Sequence, residues 1–414
     1  MELEVFSMSY IKKKYGIVIF ALAGLAAASI GICQNTPGVF YTSVSKDLNV
    51  MRGTFAFHAT FSMLAIAVTS LFLPKIMKKI SFRKMIMIGS CLMIISTIGM
   101  SAATNVLQFY LLAVFRGVGA SLCANVPITI LINRWFFKNN GTATSIALSF
   151  SGIAGAVCSP LLAWCIEHAG WQNGYLLQAG MILLFVLPAM TLPFSDDPNK
   201  EGLLPYGGHS STSSPQIHSK QIFCFTSTAF FALSLFCLLH TSITGISQHL
   251  SGMAVNAGMT TETGSLLLSA AMIGNIFTKL LIGILSDHIG PIKSSILMII
   301  ANAISMLLLY LGLTTGTFLM TLMGSFLFGS VYSVGAVGIA LITKSLFGGE
   351  RFSLIYPKIS FLVSVGSSLS LPLIGYVYDF TGSYLSALAA ALIFDMIDIC
   401  LLLFTVFQCR RHTL

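Results

Sequence analysis

The sequence predicts an all-α integral membrane protein, with twelve transmembrane helices in two pseudo-symmetric six-helix bundles. Three observations carry this. Of 414 residues, 56% are hydrophobic and 8% charged, against roughly 25% charged in an average soluble domain. The charges fall in short gaps between uncharged runs, and about 20 apolar residues suffice to cross roughly 30 Å of hydrocarbon as a helix. The basic residues also concentrate in every second gap, as they do when alternate loops stay in the cytoplasm.

The first uncharged run is Tyr15–Ser45, followed by Gly53–Pro74, Met85–Phe115, Gly117–Asn133, Asn139–Ile166 and His168–Ser195. These predict spans near 16–41, 55–76, 85–104, 107–133, 142–166 and 174–193. A second set is predicted near 222–247, 264–285, 294–313, 317–343, 352–377 and 383–407. Ser294–Thr343 holds 50 uncharged residues, too many for one span, and Thr314-Thr315-Gly316-Thr317 is its natural turn. Lys12, Lys13 and Lys14 precede the first run. That run exceeds a signal-peptide core and eleven more follow, so it reads as a mature helix.

With the N-terminus inside, seventeen of the 22 Lys and Arg residues fall in inside segments and only Lys46 and Arg52 outside. The reading is a multi-pass protein of the cell (plasma or inner) membrane with both termini cytoplasmic. Nine Cys lie scattered in apolar runs without CxxC or Cys/His spacing, so no metal and no disulfide framework is expected. The net charge of +9 follows topology, and no nucleic-acid partner is expected. HExxH, GxSxG and Walker motifs do not occur, which argues against an enzyme.

Residues 194–221 hold Asp196, Asp197, Pro198, Gly202, Pro205 and the run Ser210–Ser214. This composition predicts a flexible cytoplasmic linker between bundles 1–193 and 222–414. The halves repeat weakly: Pro160 and Gly170 match Pro372 and Gly382 at an offset of 212, and Phe136 matches Phe347 at 211. Six spans repeated about a linker is the plan of two bundles that rock about a central site.

Motifs narrow the reading. Gly283-Ile284-Leu285-Ser286-Asp287-His288-Ile289-Gly290-Pro291-Ile292-Lys293 resembles the GxLxDRxGxxxK loop of the major facilitator superfamily. Gly290 permits a tight turn there, and Asp287 can cap or pair with a helix end. The equivalent loop after the second span, Pro74–Lys84, is degraded, with Lys78 for the Asp and Ser81 for the Gly. Arg116-Gly117-Val118-Gly119-Ala120 is similar to a reduced Arg/Gly motif, and Gly152, Gly155 and Pro160 to the Gly/Pro-rich motif of that superfamily. Small residues there also serve close helix packing. Three segments resemble the oxalate/formate antiporter and monocarboxylate transporter families more narrowly. They are Asn133-Arg134-Trp135-Phe136, Thr278-Lys279-Leu280-Leu281-Ile282-Gly283, and Tyr356-Pro357-Lys358. The resemblance implies the major facilitator fold, transport by alternating access, and a small organic anion as substrate.

Charges inside spans cost at least ~2.5 kcal/mol each, so each needs a reason. Lys279 and Lys358 lie eight residues before Asp287 and seven after Arg351, about 12 and 10 Å above the inner face. They are candidates to grip one carboxylate; the alternative is that both snorkel to the interface. Arg116 either anchors a carboxylate or balances a buried acid; the alternative is that it bonds helix-end carbonyls or forms a gating pair. Asp395 and Asp398, at i and i+3, share a face. They either carry a proton or form a paired acid at a helix contact. Gln34, Asn35, His240 and Asn275 are polar cavity candidates, and Phe328 and Tyr332 an aromatic wall or core pair. His58 and His249 are expected at the outer interface. The expected mechanism is anion exchange or proton symport of a monocarboxylate-like anion. Efflux of a lipophilic or cationic compound is the alternative. The expected partners are that small molecule and the lipid bilayer; no cofactor is expected, and the unit is read as a monomer.

Overall fold

The computed structural model of the chain describes residues 2–207 and 228–411. Ser210–Ser214, Lys220, the start of the expected seventh span at 222–227, and Leu414 lie outside the described residues. The chain divides into two compact units, Met1–Gly208 and His209–Leu414. The first holds α1 (Glu2–Ala26), α2 (Tyr41–Asp47), α3 (Arg52–Lys79), α4 (Phe82–Ser101), α5 (Val106–Ser121), α6 (Asn125–Trp135) and α7 (Asn140–Thr191). The second holds α8 (Thr228–Ser242), α9 (Ile246–Asn256), α10 (Thr261–Ile289), α11 (Pro291–Thr315), α12 (Phe318–Ser333), α13 (Ile339–Phe347), α14 (Gly349–Thr381) and α15 (Leu385–Arg411).

Eleven helical stretches among the described residues are long and apolar enough to cross a membrane. One of them, α7, has 52 residues. Straight, it would reach ~78 Å at 1.5 Å per residue, more than twice the hydrocarbon thickness. Gly170 breaks it at φ +85°, so α7 supplies two spans and the total is twelve. Gly382, the repeat-related residue, also takes a positive φ of +68° where α14 ends.

Several spans are interrupted. The first passes from α1 into a π-helical turn, Ala27–Ile32, and a 3-10 turn begins at Pro37. The fourth breaks between α5 and α6, because Pro127 in the first turn of α6 lacks an N–H and its ring would clash with the carbonyl four residues back. The seventh breaks between α8 and α9. There Ser370 of α14 accepts from the Gly245 N–H at 2.6 Å and donates to the Ser242 carbonyl, replacing lost helix bonds. The tenth becomes π-helical at Val334–Gly338.

The outward faces are apolar: Phe57, Ile95, Leu107, Phe115, Trp164, Phe231, Phe277 and Leu319 are 55–67% exposed. Such faces suit lipid, and polarity turns inward, where Arg116, His58, His240, Asn302, Asp395 and Asp398 are buried. Many buried hydroxyls bond a carbonyl one turn back, as Thr144 does to Asn140 at 2.8 Å and Thr278 to Gly274 at 2.7 Å, which satisfies their protons within the helix. Close helix approach depends on glycine. A Cβ on Gly89 of α4 or Gly119 of α5 would stand 2.8 or 2.6 Å from the other's carbonyl oxygen. In the second unit a Cβ on Gly274 of α10 or Gly329 of α12 would collide with the facing backbone. Helix packing thus accounts for the glycines of the Arg116–Ala120 motif.

The expected flexible linker differs in its first half. Residues 194–207 lie against the first unit. Lys14 Nζ donates to Glu201 Oε2 at 2.8 Å and to the Pro193 carbonyl at 2.9 Å, and Trp135 Nε1 donates to the Ser195 carbonyl at 3.1 Å. The Tyr206 N–H donates to the Trp135 carbonyl at 2.8 Å, and Tyr15 meets the rings of Trp135 and Tyr206 edge-on. Partial burial acts to raise the Glu201 carboxyl, but its bonds to Lys14 and the Ser195 N–H outweigh this and hold it below the usual carboxylate range. The Asn133–Phe136 segment therefore anchors this strap. Composition alone marks the strap as a loop, because its holding contacts come from residues 60 to 190 positions away.

Candidate functional site

In the first unit the central group is Arg116. Asn105 caps α5 by accepting from the Gln108 N–H at 3.0 Å, and the helix then carries Arg116 inward to 1% exposure. Its Nε and Nη2 atoms are buried without a hydrogen-bond partner. These two atoms form one edge of the guanidinium, the edge that fits a carboxylate with two parallel bonds. His58 and Tyr175 lie within electrostatic reach, and His58 Nε2 and the Tyr175 hydroxyl are likewise buried without partners. His58 Nδ1 donates to the Phe55 carbonyl at 2.7 Å, which leaves Nε2 as the free ring atom. His58 is thus not interfacial, as its sequence position suggested, but enclosed by Phe55 and Phe109. Gln34, half-buried, donates to the Ser29 carbonyl at 3.0 Å, while Asn35 is exposed.

In the second unit α10 carries Lys279 to 4% exposure and Asn275, one turn earlier, to 3%. Asn275 Oδ1 has no hydrogen-bond partner. Lys358 on α14 is half-buried, beside Tyr356, which stacks on Phe352 at 4.7 Å. Phe328 is fully buried in the apolar core with Val331 and Leu309 and meets Tyr332 edge-on at 5.9 Å. The Tyr332 hydroxyl bonds Ser247 Oγ of α9 at 2.6 Å. Gly283 is buried in α10, Asp287 and Lys293 are exposed at its end and after it, and Gly290 makes the turn at φ +88°.

The acids of α15 face neighbours of their own unit. Asp398 Oδ2 lies 3.0 Å from His240 Nδ1, and both Asp395 oxygens accept from Asn302 Nδ2, at 3.0 and 2.9 Å. His240 Nε2 meets the Val331 carbonyl at 3.1 Å. Both ring nitrogens are engaged, so His240, read from sequence as a cavity residue, is committed within its bundle. The ligand atoms of His240, Asp395 and Asp398 lie within 4.8 Å of one another. An amide N–H is aimed at Asp395, and both ring nitrogens of His240 are engaged by protein atoms.

Comparison with known proteins bears on the family and the fold. The Major Facilitator Superfamily pattern matches residues 23–260, more than half of the chain. The chain belongs to the Major Facilitator Superfamily. Among superfamily members it is similar to monocarboxylate transporter 12 of Xenopus laevis, 26% identical over 323 residues, covering 73% of this chain and 69% of that one. Monocarboxylate transporter 13 of Rattus norvegicus is 24% identical over 316 residues, covering 76% and 71%. A solved proton:xylose symporter matches with a TM-score of 0.74 at 13% identity over 95% of this chain and 96% of its own. The E.coli fucose:proton symporter matches with 0.68 at 14% identity over 95% and 99%. These two show the fold alone. The chain is therefore a multi-pass membrane transporter of a small molecule, and not an enzyme.

Sequence reading missed Asn302, Tyr175 and the burial of His58. Asn302 is the single amide side chain of its helix, and a lone amide in a span is the one signal that marks it.

Proposed function

We propose that the protein carries a small organic anion, of the monocarboxylate class, across the cell membrane by alternating access. The observation that supports this most is the Arg116 edge: a fully buried guanidinium with Nε and Nη2 both lacking partners. Taking a cation out of water and leaving its donors unsatisfied costs several kcal/mol. A carboxylate that accepts from both atoms removes that cost, which favours anions over neutral or cationic solutes. The Tyr175 hydroxyl, within electrostatic reach of Arg116, is a further donor without a partner. Lys279 gives the second unit a buried cation of its own, and the relatives named monocarboxylate transporters agree with the charge of this substrate class. In this reading Arg116 in the first unit and Lys279 and Lys358 in the second are substrate-binding residues, each within its own unit. Binding neutralises the cations and lets the site close without water, so that the loaded and empty carriers differ in their ability to reorient.

The test is uptake into proteoliposomes of labelled monocarboxylates, dicarboxylates and lipophilic cations. Saturable uptake of monocarboxylates is expected, with competition by unlabelled ones. Uptake of lipophilic cations alone would replace this reading with efflux of such compounds.

The orientation proposed has both termini and the 194–221 segment in the cytoplasm. Reporters fused after Leu414 and inserted at Thr212 should give cytoplasmic signals, and one inserted at Thr261 an external signal. An external signal at Thr212 would invert the assignment.

A further inference from the structure

The contact between α8 and α15 contains more chemistry than a structural pair requires. A carbonyl oxygen only accepts, so the 3.1 Å contact of His240 Nε2 with the Val331 carbonyl places a hydrogen on Nε2. In the neutral ring Nδ1 is then a bare lone pair, 3.0 Å from Asp398 Oδ2. A lone pair and a carboxylate at that distance repel. The contact holds only with a proton between the two atoms, on Nδ1 or on Oδ2. Asp395, alongside, adds a second carboxyl whose partner is the neutral amide of Asn302. All four side chains are 0% exposed, and Asp398 Oδ1 and Asn302 Oδ1 lack hydrogen-bond partners. The ion pairs among the described residues include no Lys or Arg at either acid.

Among the described side chains the surroundings add no competing charge. On α8 the titratable groups near Asp398 are His240 and Cys237. On α11 only Lys293 and Tyr310 titrate, at its two ends, and Asn302 is the polar group facing α15. On α12 Tyr332 turns to Ser247. On α14, which meets α15 across the Gly382 turn, Lys358 lies about 12 Å along the helices from the level of the acids. The site also sits where the fold is broken: His240 is two residues before the end of α8, and Val331 three residues before the π-helical turn of α12.

We propose that His240 and Asp398, with Asp395 and Asn302 beside them, form a proton-binding site that fastens α8 to α15. In the loaded form one proton is shared by Nδ1 and Oδ2. On release it passes to water, Nδ1 is left bare against a carboxylate, and the contact opens beside the α8–α9 break. The inference stands whichever solute is carried.

The experiment is thermal unfolding of the purified full-length protein in detergent, which requires no substrate. The fastening proton is present at low pH and lost as pH rises, so the wild-type Tm should fall by about 3 °C or more between about pH 5.5 and about pH 8.5. In Asp398→Asn a carboxamide N–H donates to bare Nδ1 with no exchangeable proton. In His240→Gln an amide N–H donates to Asp398. Each variant keeps a hydrogen bond at the contact, and each should show less than about half the wild-type fall. A wild-type Tm flat over this range would overturn the proposal, as would either folded variant retaining the wild-type slope. A Tm that is flat with pH but raised by NaCl and not by choline chloride would overturn it in favour of a metal cation. Failure of carboxylate uptake leaves these outcomes unaffected, so the two readings fail separately.

Discussion

Arg116→Gln is expected to lower carboxylate uptake by about thirty-fold or more while the protein stays folded and in the membrane. Removing one partner of a desolvated, hydrogen-bonded charge pair costs about 2–5 kcal/mol, and each 1.4 kcal/mol is about tenfold. Gln retains amide donors but neither the charge nor the Nε–Nη2 edge. Arg116→Lys keeps the charge as a point and loses the fork, so partial uptake should return with weaker discrimination between carboxylates. Lys279→Gln should reduce uptake on a similar scale, because a buried ammonium is removed from the second unit, and Lys279→Arg should retain part of it. The measurement is initial uptake rate in proteoliposomes, normalised to reconstituted protein. Parental rates in both Arg116→Gln and Lys279→Gln would sink the organic-anion assignment and leave the efflux reading in its place.

Gly329→Leu should cost more than about 3 kcal/mol, the upper range for overpacking, because the new side chain has only backbone in front of it. A Cβ at this position falls on the Gly274 and Asn275 main chain, and α10 cannot withdraw without losing its contact with α12. A drop in Tm of about 6–12 °C, or loss of monodisperse protein, is the expected result. Gly180→Leu on α7 is the control, since nothing lies within 4 Å of its Cβ direction. It should purify with a Tm near the parent's. Equal behaviour of the two variants would show that α10 and α12 do not pack through these glycines.

The α10–α12 contact also marks where sequence reasoning stops. Gly274 and Gly329 look like any other small residues in apolar runs, and their opposition depends on the register of two helices 55 residues apart. The same holds for the acids of α15. Their i, i+3 spacing is enough to place them on one face, but their partners, His240 and Asn302, come from 158 and 93 positions away. A cavity role for His240 was the natural reading of a lone histidine in a span. The three-dimensional contact spends both its nitrogens inside the bundle.

What the amino-acid order determined by itself is what the bilayer imposes one segment at a time. Hydrocarbon thickness dictates the length of each uncharged run, and the cost of moving Lys and Arg across it dictates which gaps hold them, so span positions, the Gly170 division and the superfamily were legible. Lys279 and Arg116 were legible as candidates because a charge in a span is costly wherever its helix goes. Which buried charge is satisfied and which is left with open donors was decided only by the tertiary structure. Hydrogen bonds act over about 3 Å, and the residues that meet at that distance, such as Asp398 with His240 or Ser195 with Trp135, are set by helix packing rather than by neighbours in the chain.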